Sequence, residues 1–175
     1  TNSGTLVVPG TATISASGHN VTLNTATNNF GTAVLTGADV SIRDTDAIIL
    51  GASTVSGALS ATATTGNITQ SGALDIEGTT TLVTTAQGAT IVLGTSTNAF
   101  TGAITITTND NDPVDGTYAA HVTIDGGTTA LVIAASTIDG DLTLTSGNAS
   151  GITDSGTVTV GRNLAATTNA NSGVI

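Results

Sequence analysis

The chain has 175 residues and 16.8 kDa, with 22 Gly and 39 Thr, only 8% charged and 2% aromatic residues. That excludes the usual core of large side chains under a Lys/Glu-rich skin, since globular chains carry roughly 25% charged residues. Yet 38% of residues are hydrophobic and the mean hydropathy is +0.31, which argues against disorder. With Arg43 and Arg162 as the only cations among Lys and Arg and a net charge of −10, the chain lacks the basic groups that neutralise phosphates, so no nucleic-acid partner is expected. No apolar run reaches the 18 or more residues of a spanning helix, so no membrane insertion is expected either. Zero Cys removes disulfides and thiolate chemistry.

In chain order, short stretches alternate apolar and polar residues with a period of two: Val21-Thr22-Leu23, Val40-Ser41-Ile42, Leu74-Asp75-Ile76, Ile104-Thr105-Ile106, Val122-Thr123-Ile124, Leu142-Thr143-Leu144 and Val158-Thr159-Val160. This is the pattern of half-buried strands, and the abundance of Val, Ile and Thr suits it. Gly, Asn or Asp interrupts every five to ten residues, which is turn chemistry. No window carries an amphipathic helix with a starting cap.

The same phrases recur along the chain. Ser3-Gly4-Thr5-Leu6 returns as Ser71-Gly72-Ala73-Leu74 and as Ser155-Gly156-Thr157-Val158, at offsets of 68 and 84 residues. Asn28-Asn29-Phe30-Gly31 matches Thr97-Asn98-Ala99-Phe100, so both Phe residues hold one repeat position. Ala52 to Gly57 matches Ala135 to Gly140, and Gly66 to Gln70 corresponds to Gly151 to Asp154. The chain reads as one continuous excerpt, 1–175, with super-repeats near 1–68 and 69–152 and the start of a third at 153–175. The second copy is longer by about a dozen residues, an insertion loop near 107–121.

Sandwiches and barrels draw on aromatic anchors and hairpin turns that are scarce here. A parallel β-helix instead needs turns of small residues and a narrow bore of Val, Ile, Leu and Ala, with coils about 4.8 Å apart. The expected fold is therefore all-β, a right-handed parallel β-helix without significant helix. A unit of about 70 residues would divide into three coils of 20 to 25, giving about 7–8 coils in all.

Residues 28–74 and 78–106, read as that ordered succession of phrases, resemble the repeats of giant bacterial surface proteins of the filamentous haemagglutinin-like type. The resemblance implies export across the outer membrane by a type V-like route, a β-helical rod at the bacterial cell surface or in an extracellular fibre, and adhesive, biofilm or matrix roles. A host or matrix glycan or protein would then be the partner. Opening on Thr1 rather than Met, and with both ends inside ordinary repeat sequence, the chain is expected to continue or to stack end to end on itself. A self-assembling fibre or surface-layer subunit is the alternative function.

Asp110, Asp112 and Asp115, beside Asn109 and Asn111, form the densest set of hard oxygen ligands and are candidate Ca²⁺ ligands. Pro113 and Val114 break the spacing of a calcium loop, and a solvated turn is the plainer reading. No other cofactor is expected. Asp44 and Asp46, two apart, would share one face of a strand and repel unless a cation or Arg43 intervened. A carboxylate-pair enzyme acting on polysaccharide is disfavoured: Lys and Trp are absent and Tyr118 is the sole Tyr, so no catalytic residue is assigned. His19 and His121 fall at unmatched repeat positions without a visible partner. Asn20, Asn67 and Asn148 begin sequons at a frequency chance predicts. Thr pairs such as Thr11-Ala12-Thr13 and Thr105-Ile106-Thr107 could build an ice-binding array, but they do not recur at one point of every coil.

Overall fold

A computed structural model describes residues 1–110 and 120–175. Twenty strands are present among them and no helix. In order these are β1 (Val7–Ala16), β2 (Val21–Leu23), β3 (Asn29–Gly37), β4 (Val40–Asp44), β5 (Ile48–Leu50), β6 (Ser53–Val55), β7 (Leu59–Ala63), β8 (Ile68–Gln70), β9 (Leu74–Ile76) and β10 (Thr80–Gln87). They continue with β11 (Ile91–Leu93), β12 (Ala99–Phe100), β13 (Ile104–Asn109), β14 (Val122–Asp125), β15 (Leu131–Ile133), β16 (Ser136–Ile138), β17 (Leu142–Ser146), β18 (Ile152–Asp154), β19 (Val158–Val160) and β20 (Leu164–Thr168).

Every pairing between them is parallel, and each strand pairs with a strand about one winding away rather than with its chain neighbour. That is a β-solenoid. Three faces run along it. Face 1 stacks β5, β8, β11, β14, β17 and β20; face 2 stacks the end of β3 with β6, β9 and β12, and is continued by the stacked pair β15 and β18, each lying in the chain between a face 1 strand and a face 3 strand; face 3 stacks β2, β4, β7, β10, β13, β16 and β19. The seven strands of face 3 give seven coils, as the sequence pattern leads one to expect. One winding takes 19 residues from Val21 to Val40, but 31 from Ile91 to Val122, where the insertion lies.

The period-two pattern places its apolar members inward. Ile48, Ile68, Ile91, Val122 and Leu142 form one column of the bore, each in register with the next and each no more than 2% exposed. Phe30 and Phe100 are both buried, as their shared repeat position implies. Removing such side chains from water contributes about 2–3 kcal/mol apiece before chain entropy is counted, and the column repeats that term coil by coil.

Glycine makes the corners possible. Gly57, Gly78 and Gly102 follow one another between faces 2 and 3, and a Cβ on Gly78 would sit 2.4 Å from the carbonyl of Gly57. Gly18 and Gly88 hold one repeat position and both adopt positive φ, 73° and 69°, in the turns entering β2 and β11.

Candidate functional site

The insertion is the feature that departs from the repeat. Of its three candidate calcium ligands, Asp112 and Asp115 lie outside the described residues. Asp110 is buried, 7% exposed, and its N–H donates to Asp139 Oδ2 at 2.7 Å. The Asp139 N–H in turn donates to Thr108 Oγ1 at 3.0 Å, and that hydroxyl donates to Ala120 O at 3.4 Å. Both margins of the segment are thus tied to one another and to the coil that follows. Among the described residues no group of three or more His, Asp or Glu side chains could hold a metal ion.

Asp44 and Asp46 do not share a face. Asp44 ends β4 with its side chain in the core, where its carboxylate accepts N–H groups from Phe30 at 2.7 Å and Asp46 at 2.8 Å. Asp46 lies beyond the strand end and points outward, accepting from Asn29 Nδ2 at 2.7 Å and from Thr65 Oγ1 at 3.1 Å. The strand stops at Asp44, so period-two alternation no longer applies two residues on. Burial pushes the Asp44 carboxyl above its ordinary value, against the opposing pull of its two backbone hydrogen bonds.

His121 has a partner after all. Its Nδ1 accepts the Asp141 N–H at 3.0 Å and lies 3.3 Å from Asp141 Oδ2. Asp141 Oδ1 also accepts from the Asn163 backbone and side chain at 3.0 and 2.8 Å, with Arg162 Nε 3.8 Å away. Hydrogen bonds from Asn163, then the charge of Arg162, hold the Asp141 carboxyl below its usual range. His121, Asp141 and Asn163 stand on three successive coils, a vertical adjacency that linear spacing hides. His19 is exposed.

The sequon asparagines are engaged between or within turns. Asn20 Oδ1 accepts the Asp39 N–H at 3.1 Å, Asn67 Oδ1 the Thr90 N–H at 2.8 Å, and Asn148 Nδ2 donates to Thr128 O at 2.8 Å. The Thr pairs come partly into line on face 3, where Thr22, Ser41, Ser60, Thr81 and Thr105 share a register; Arg43 and Val83 interrupt the adjacent column.

The most demanding polar positions are internal. Asn28 and Asn98 are 0% and 2% exposed; each donates to the carbonyl five residues before it, and each accepts a backbone N–H, from Leu6 and Leu74 respectively. Ser53 and Ser136 form a second buried pair: each hydroxyl donates to the carbonyl two residues earlier at 2.8 Å and accepts a strand N–H, from Leu35 and Ile106, at 3.0 Å. The signal for both was already in the repeats, which align Asn28 with Asn98 and Ser53 with Ser136.

Among the described residues, open concavities lie at both mouths of the bore. One is lined by Leu6, Ile14, Val21 and Leu23, the other by Ile133, Leu144, Leu164 and Ile175. Many polar side chains elsewhere hydrogen-bond from one coil to the next, as Asn67 does to Thr90 and Ser41 to Asn24.

Comparison with known proteins agrees with the repeat. No curated protein and no solved structure matches the chain. A family model described as "Repeats of unknown function (DUF5649)" matches residues 1–36, 37–107 and 119–175. With only 108–118 left between matched stretches, the chain belongs to this family of repeats.

Proposed function

We propose that the chain is a structural, adhesive rod segment of a bacterial cell-surface or extracellular fibre. The observation that carries this reading is the uniformly parallel stacking: each coil contacts its neighbours along one axis, so length grows in proportion to the number of repeats. A molecule of that kind holds something at a distance. The resemblance of its phrases to filamentous haemagglutinin-like repeats supports placing it outside the cell, where a glycan or protein of host or matrix is the partner. Immunogold labelling of the source cells with antibody against this chain tests the reading. Label along projecting filaments is the expected result; label confined to the cell interior overturns it.

A second reading, a fibre or surface-layer subunit that stacks end to end, is favoured by the exposed aliphatic side chains at the bore mouths, Leu6 at one and Leu164 and Ile175 at the other. Electron microscopy of the purified chain separates the two: long filaments favour the subunit, isolated short rods the segment.

A further inference from the structure

The repeat does not close on itself after a whole number of coils. Ser53 of β6, on face 2, has its repeat equivalent in Ser136 of β16, on face 3. Ser60 of β7 lies on face 3, and its equivalent Thr143 of β17 lies on face 1. Strand β4, on face 3, corresponds to β14, on face 1. The glycine column obeys the same shift: Gly57, Gly78 and Gly102 occupy the corner leading into β7, β10 and β13 on face 3, while Gly140 and Gly161 occupy the corner leading into β17 and β20 on face 1. Every correspondence moves by one face in the direction of the chain.

The strand count explains why. Ten strands separate equivalent elements, β6 from β16 and β7 from β17, and three faces take one strand each per coil. Ten divided among three leaves a remainder of one, so the unit spans three and a third coils rather than the three suggested by its length. The strand bridging two faces moves in step: β3 meets β5 at Ala33–Leu50 and β6 at Thr36–Thr54, and β13 meets β15 at Ile104–Ile133 and β16 at Thr107–Thr137, one face further on.

We infer that the repeat of this family is a one-third-turn unit, so that a tandem array presents each repeat-borne surface position on the three faces in succession. With coils about 4.8 Å apart, successive units climb about 16 Å, and a position regains its azimuth after three units, about 48 Å along the axis. Outward hydroxyls already follow this path: Thr54 faces out from face 2 and its equivalent Thr137 from face 3. A rod built this way has no single binding face. A partner that recognises one unit meets its site on every side, which suits an adhesive fibre that is approached from any direction. That last consequence rests on the rod reading above; the rotation rests on register alone, and the two fail in different experiments.

The test is the full chain with residues 37–107 repeated nine times in tandem in place of once. Each new junction joins Thr107 to Gly37, reproducing the native Thr36–Gly37 step. Helical averaging of such rods by electron cryo-microscopy is expected to give a rise of about 16 Å with a third of a turn per unit. A rise of about 14 Å without rotation, the three-coil solution, overturns the inference. A chain that fails to form β-structure by circular dichroism overturns it as well, because the seam is native. As a second measure, Thr54→Cys carried in every copy gives the only thiols in the chain; heavy-atom labels in three rows around the rod are expected, and a single row would refute the rotation.

Discussion

Asn98 stands three coils and one face away from Asn28 and repeats its bonding: the two amides donate to Leu93 O and Leu23 O at 3.2 and 3.0 Å, and accept from Leu74 N and Leu6 N at 2.9 and 3.0 Å. Asn98 is further braced by Gln70, whose amide pairs with it in both directions at 2.8 and 2.9 Å. Truncating it leaves a buried donor and a buried acceptor without partners, each worth about 1–3 kcal/mol. Asn98→Ala is therefore expected to lower stability by about 3 kcal/mol, and Asn24→Ala, at an exposed position, by less than about 1 kcal/mol. Equal denaturation midpoints for the two would contradict the role assigned to Asn98.

A charge placed in the bore tests the stack directly. Ile106 is fully buried and Leu144 is 3% exposed, whereas Asp154 faces solvent. Ile106→Asp or Leu144→Asp is expected to cost more than about 4 kcal/mol or to prevent folding, and Asp154→Ala to change little. Thermal melts followed by circular dichroism read the difference.

Thr80 offers the opposite sign. It sits inside the bore, in register between Leu59 and Ile104, and its hydroxyl has no hydrogen-bond partner. Valine keeps the shape and removes the stranded polar group. Thr80→Val is expected to raise stability by about 1 kcal/mol, a melting-temperature rise of about 2–4 °C. A fall in melting temperature would mean that the hydroxyl is satisfied in solution.

Asp44 gives a pH dependence of defined direction. Because burial raises its pKa above the ordinary 3.8, the folded chain binds this proton more tightly than the unfolded one. Stability from this group therefore falls as pH rises through the raised value, and returns as pH drops toward 3.8. Relative to Asp44→Asn, which carries no charge at any pH, the natural chain should gain melting temperature between about pH 7 and pH 4. Midpoints that run parallel across that range would show that Asp44 is not desolvated.

Much of this fold could be read from the sequence because inward and outward residues alternate without interruption in segments such as Leu142-Thr143-Leu144, and because phrases recur in a fixed order. The coil count and the absence of helix among the described residues follow from those two regularities. What escaped was everything that depends on stacking one winding over another. Asp44 and Asp46 looked like strand neighbours until the strand ended between them. His121 and Asp141 are 20 residues apart, one coil, and meet only because the turn repeats. The fractional coil count was hidden for the same reason, since a length near 70 residues fits three windings nearly as well as three and a third.

The hydrogen bonds between windings run along the rod axis, and the covalent chain crosses that axis at every strand. Tension on the two ends therefore loads the outermost winding alone and strips it off before the next is disturbed. Each winding of about 21 residues occupies about 4.8 Å of rod but releases about 70 Å of slack when drawn out. Pulled from its ends, such a stack would yield in discrete steps, dissipating load by paying out chain while the remaining windings keep their shape.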